Sequence, residues 1–196
     1  MNSAFVVRLR SALTLWLALG SGWGGSLRAA EPFLLSTKIS EIPERGEVTL
    51  TVLHTAKHEF VFLPPAGWRT PQVDAAAGAI TWTSADDTSR LQFKINISGS
   101  GRPTPLRPEE LRQVVLQELP AAKITEEFTC HTGSGSGPAF DLERVVDGKF
   151  PMSSRMAYFP FSAGRIEVHL SSPTDQFTQR QHELTGFLNS LQVRPH

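Results

Sequence analysis

The chain has 196 residues, with 19 basic and 19 acidic side chains, six histidines and one cysteine, and it is formally neutral at pH 7. Its Arg and Lys residues are scattered, which excludes the clustered basic footprint of a nonspecific nucleic-acid binder. A single cysteine excludes an intramolecular disulfide, so packing alone must hold a core that this length allows for one domain.

The opening residues carry the parts of an export signal: Arg8 and Arg10 supply positive charge, Ala12 to Leu19 form an apolar run, and small residues follow. That run falls short of the about 20 apolar residues needed to cross a bilayer, and the glycines between Gly20 and Gly25 interrupt it. Cleavage is expected after Ala29, with Ser26 as the alternative, and a lipid anchor would need a cysteine at that point. Loss of residues 1–29 removes Arg8, Arg10 and Arg28 and no acid, leaving a net charge of about −3. The expected organisation is a signal peptide over 1–29, an N-terminal extension over 30–46 and one domain over 47–193, located in the periplasm or secreted, with no membrane span after cleavage.

From Glu47 to Leu53, Val48, Leu50 and Val52 alternate with Thr49 and Thr51, which predicts a strand. A second strand from His58 is stopped by Pro64 and Pro65, which lack backbone donors. Ala79 to Thr83 and Leu91 to Ile97 flank a polar turn and predict a hairpin, with Leu91, Phe93, Ile95 and Ile97 on one face. Ser98 to Pro105 reads as a loop leading to a helix that starts at Pro108, buries Leu111, Val114, Val115 and Leu119, and ends at Pro120. Strand-like runs follow at Lys123 to His131, Ala139 to Val146, Ser154 to Phe161 and Arg165 to Leu170. The tract Gly133 to Gly137 reads as a hairpin loop. A closing helix is expected from a cap at Ser172, with Pro173 in its first turn and Phe177, Leu184, Leu188 and Leu191 on its buried stripe.

This order of elements predicts an α+β fold, a single antiparallel sheet flanked by helices. The order itself, the Pro64-Pro65-Ala66-Gly67-Trp68 break after an early strand and the final Phe187-Leu188-Asn189-Ser190-Leu191 together resemble the PsbP-like superfamily, which includes PsbP and DcrB-like envelope proteins. The resemblance covers most of residues 47–193. It implies helices packed on an antiparallel sheet and a binding role, and it carries over no catalytic residue.

The residues themselves offer little chemistry. His54 and His58 have the spacing that aims two imidazoles one way on a helix, but Thr55-Ala56-Lys57 between them reads as a loop, so no metal site is assigned and no cofactor is expected. Cys130 and His131 are adjacent on a strand and face opposite sides; Cys130 reads as a small buried hydrophobe. No Gly-x-Ser-x-Gly elbow occurs. Glu126, Glu127, Asp141 and Glu143 read as a solvated sheet face. No catalytic residue is therefore assigned.

Two binding surfaces are expected. The first is the loop at Pro65, Trp68 and Arg69, since Trp and Arg dominate interface energetics, and it would make the chain a non-enzymatic exported protein that binds a protein partner in the envelope. The second is an apolar pocket at Phe159, Phe161 and Phe187 between sheet and helices, which would make it a carrier of an apolar small molecule.

Overall fold

The computed structural model of the chain describes residues 33–42, 46–98 and 107–196. The expected export signal and most of the expected loop from Ser98 to Pro105 lie outside the described residues. Among the described residues no helix is long and apolar enough to cross a membrane.

Alternating β-branched and aromatic residues build eleven described strands: β1 (Leu34–Ile42), β2 (Gly46–His54), β3 (His58–Phe62), β4 (Gln72–Asp74), β5 (Ala79–Thr83), β6 (Arg90–Ile97), β7 (Lys123–Thr132), β8 (Gly135–Val146), β9 (Phe150–Phe161), β10 (Gly164–Pro173) and β11 (Gln192–Pro195). Two helices interrupt them, α1 (Pro108–Glu118) after β6 and α2 (Phe177–Ser190) after β10. Every strand pairing is antiparallel.

The strands form two sheets rather than the single sheet expected from the sequence. One has four strands in the order β1-β2-β3-β11, and the other has seven in the order β4-β5-β6-β10-β9-β8-β7. The separation follows from Pro64 and Pro65: a chain that cannot donate to a ladder leaves the small sheet there and re-enters as an edge strand of the large one. Residues 34–42, inside the expected N-terminal extension, supply β1, which pairs with β2 from Leu34–His54 to Ile42–Gly46.

The large sheet is covered on both faces. On one side Leu53, Phe60 and Phe62 of the small sheet and Leu184, Phe187 and Leu188 of α2 pack on Ile80, Trp82, Leu91, Phe93, Ile95, Ala157 and Phe159. Leu91, Phe93 and Ile95 thus share the core face that their alternation predicts, whereas Ile97, at the end of the strand, is 43% exposed. On the other side Leu111 and Val115 of α1, with Leu119 just after it, pack on Phe140, Leu142, Met156 and Tyr158. The first helix starts as its sequence predicts: Pro108 occupies the first turn, and the Glu110 carboxylate accepts the backbone N–H of Arg107 at 2.9 Å.

The closing helix starts later than expected. Ser172 and Pro173 belong to β10, opposite Ser153 and Met152 of β9, and the helix begins at Phe177 with Gln176 at its cap. A strand partner satisfied those backbone groups, so the Ser-Pro pair had no helix end to cap. The glycine tract is also shorter as a loop than its composition suggests, because Gly135 and Gly137 lie in β8. Gly137 is required there: a Cβ would collide with the Tyr158 carbonyl.

Candidate functional site

The loop that follows the proline break is held against two other segments of the chain. Gly67 turns it with a φ of +77°, a left-handed value that suits glycine. Trp68 then forms an isolated antiparallel bridge with Ser84, and the Arg69 N–H donates to the Thr83 carbonyl at 2.9 Å, so the loop lies along the end of the β5–β6 hairpin. From α2, Glu183 accepts the Trp68 indole N–H at 2.7 Å, and the Arg180 guanidinium lies 5.6 Å from the ring centroid.

Arg180 ties the three segments together. It pairs with Glu183 and with Asp86 of the hairpin turn, each at 3.2 Å. Hydrogen bonds from Ser84 and then Thr88, with the Arg180 charge adding to them, lower the Asp86 carboxyl to about 2, so it is ionised at every ordinary pH. Arg69 completes the group, donating to the Ala85 carbonyl at 2.8 Å and pairing with Asp87 at 2.7 Å, with 53% of its side chain exposed.

Of the three residues expected to form this surface, Pro65 is buried, Trp68 is half-buried and Arg69 is exposed. Arg180 and Glu183 are polar residues of α2. Their i,i+3 spacing marks them as a pair, but nothing in it points to a partner 115 positions earlier. The group consists of a ring and ions that are already paired.

The other expected surface is mostly interior. Phe159 and Phe187 are 3% and 2% exposed, and Phe187 meets Phe62, Trp82 and Phe93 with centroids at 5.1, 5.7 and 6.1 Å. Phe161, half-buried, packs edge-on to Phe60 at 5.3 Å and to His58 at 5.1 Å. Rings thus occupy the space between sheet and helix. A recess of about 600 Å³ lies elsewhere, along β4 to β6, and Gln72, Asp74, Thr81, Gln92 and Lys94 among its lining residues give it a polar wall.

The remaining candidates resolve individually. His54 and His58 do not converge: His58 is buried with its Nε2 2.7 Å from Ser162 Oγ, whereas His54 pairs with Glu59. Cys130 is buried and free, and burial raises its thiol pKa, consistent with a packing role. Asp141 departs from the expected solvated face. It is buried, because α2 lies over that part of the sheet and Gln181 and Arg155 bond its carboxylate. The structure also draws Ser36, His54 and Glu59 together from β1, β2 and β3.

No protein family matches the sequence, and no curated protein matches it. Among solved structures, the chain is similar to cyanobacterial PsbP from Synechocystis sp. PCC 6803, at 13% identity over 90% of this chain and 99% of that one, with a TM-score of 0.47. It is also similar to a Pseudomonas aeruginosa protein of unknown function, at 8% identity over 82% of this chain and 99% of that one, with a TM-score of 0.43.

Proposed function

We propose that this is a non-catalytic, exported envelope protein that binds a protein partner through the surface around Trp68 and Arg69. The observation that carries the reading is the pinning of Trp68 between a hairpin turn and α2, with its indole N–H on Glu183 and the Arg180 guanidinium beside its ring. A side chain already held in one position loses little entropy on binding, and Trp and Arg are the residues from which protein interfaces draw most of their affinity. The export pattern over residues 1–29 supports an envelope location.

The test uses Arg69, whose side chain reaches solvent. Proteins cross-linked in intact cells to the wild-type chain and to Arg69→Glu are compared, with melting temperature as the folding control. The reading expects a partner captured by wild type and depleted at least about tenfold by the charge reversal, at unchanged melting temperature. Equal capture by both chains would remove this surface from consideration.

A further inference from the structure

The outer face of the small sheet gathers a second set of groups. His54, at the end of β2, is paired in register with Glu59 of β3, and its Nδ1 lies 3.3 Å from Glu59 Oε1. His196, just beyond β11, is anchored by its backbone N–H on the Lys57 carbonyl at 3.0 Å. Its ring stacks on that of His54, with centroids 5.9 Å apart and planes 13° from parallel. One ligand atom from each of the three residues falls within 4.8 Å of the other two.

We propose that His54, Glu59 and His196 form a zinc-binding site with an open fourth position. Two imidazole nitrogens and one carboxylate oxygen are a donor set that Zn²⁺ takes, with water or another ligand completing the tetrahedron. Ligand atoms about 2.0–2.2 Å from a tetrahedral ion lie about 3.4 Å apart, and His54 and Glu59 already stand at that spacing, 3.3 Å. His196 is exposed, so its ring is free to close the remaining gap by a side-chain rotation.

Ser36 holds the first ligand in place. Its Oγ is 2.9 Å from His54 Nε2 and 3.5 Å from the Val52 carbonyl. When Nε2–H donates to Ser36 and the hydroxyl donates onward to Val52, His54 Nδ1 turns a lone pair toward the Glu59 carboxylate. In that arrangement a cation between the nitrogen and the carboxylate is bound by both. With its hydroxyl engaged on both sides, Ser36 is a positioning residue, of the kind that fixes the tautomer of metal-bound histidines. Arg194, opposite Glu59 on β11, directs its guanidinium to Gln192.

The site is independent of the Trp68 surface and is tested separately. Titration calorimetry of the purified protein with ZnCl₂ near neutral pH is expected to give one bound ion, with MgCl₂ giving no heat, and zinc is expected to raise the melting temperature. His196→Ala, at an exposed position, and Glu59→Gln, which keeps the shape of a half-buried side chain, should keep the metal-free melting temperature and weaken zinc binding about tenfold or more. Ser36→Ala should weaken it about tenfold, with Ser36→Thr restoring it. Absence of heat and of any melting shift up to about 1 mM zinc would overturn the proposal. So would a His54→Ala/His196→Ala double variant that binds zinc as tightly as wild type.

Discussion

Arg155 and Asp141 meet across β9 and β8 through two parallel N–H···O bonds of 2.7 Å each, and Gln181 of α2 donates to the same carboxylate at 3.2 Å. The Arg155 guanidinium also lies 4.4 Å from the Phe128 centroid, so one ion pair joins three strands and a helix. With 15% and 11% of their side chains exposed, removal of one partner leaves a poorly solvated charge behind. Asp141→Asn is expected to cost about 3 kcal/mol of stability, read as a shift in the urea midpoint at constant slope. A loss below about 1 kcal/mol would mean that water reaches Arg155 once its partner is neutral.

Trp68 contributes to the fold as well as to the surface, since it packs against the main core. Trp68→Ala should lower stability by about 2 kcal/mol, whereas Trp68→Phe, which keeps a ring and loses the bond to Glu183, should cost about 1 kcal/mol. Arg69→Glu should change it by less than about 0.5 kcal/mol. Chemical denaturation of the three variants checks the ranking, and an inverted order between Ala and Phe would contradict the packing described for the ring.

Glycines in the large sheet separate by what surrounds them. A Cβ on Gly164 would strike the Asn96 carbonyl and one on Gly137 the Tyr158 carbonyl, both backbone atoms of neighbouring strands, whereas one on Gly135 meets nothing within 4 Å. Gly164→Ala and Gly137→Ala should each cost about 3 kcal/mol or more, and Gly135→Ala close to zero. Thermal melts of the three proteins decide it, with equal melting temperatures as the contrary outcome.

His169 gives the stability of the protein a dependence on pH. Its Nε2 is shielded from solvent without a hydrogen-bond partner among the described residues, although the residue as a whole is only half-buried. Burial first, and the nearby Arg144 charge second, lower its pKa from 6.5 to about 4. The folded protein therefore refuses a proton that the unfolded chain accepts. Stability is fully present above about pH 6.5, falls as pH drops toward 4, and loses no more from this group below that. The loss over this window is on the order of 3 kcal/mol for wild type, and His169→Gln should flatten that part of the curve. Urea midpoints measured across the window test it; a slope unchanged in the variant would assign the dependence to other groups.

Local patterns carried most of the elements. Strict alternation placed Leu91, Phe93 and Ile95 in the core, and Pro108 with Glu110 marked the start of α1. Alternation, however, states which side of a strand is buried and not which strand lies next to it, so the division into two sheets was invisible in it. Strands β4 and β11, three and four residues long, are too short for a period to register. Ser172 and Pro173 satisfied a helix-start rule and were taken by β9 instead, a case of tertiary pairing prevailing over local preference. The same limit applied to both sites: Trp68 and Arg69 stood out by residue type, but Arg180 lies 94 positions from Asp86, and His196 reaches His54 only because β11 returns to β3.

That return sets an order of events for a chain emerging from a ribosome. Residues 58–62 are made early, yet one side of their backbone stays without its protein partner until residues 192–195 arrive to pair with it. In the interval β3 is an open edge carrying Phe60 and Phe62, a segment prone to join another chain. A polypeptide lacking residues 192–195 is therefore the form expected to need a chaperone.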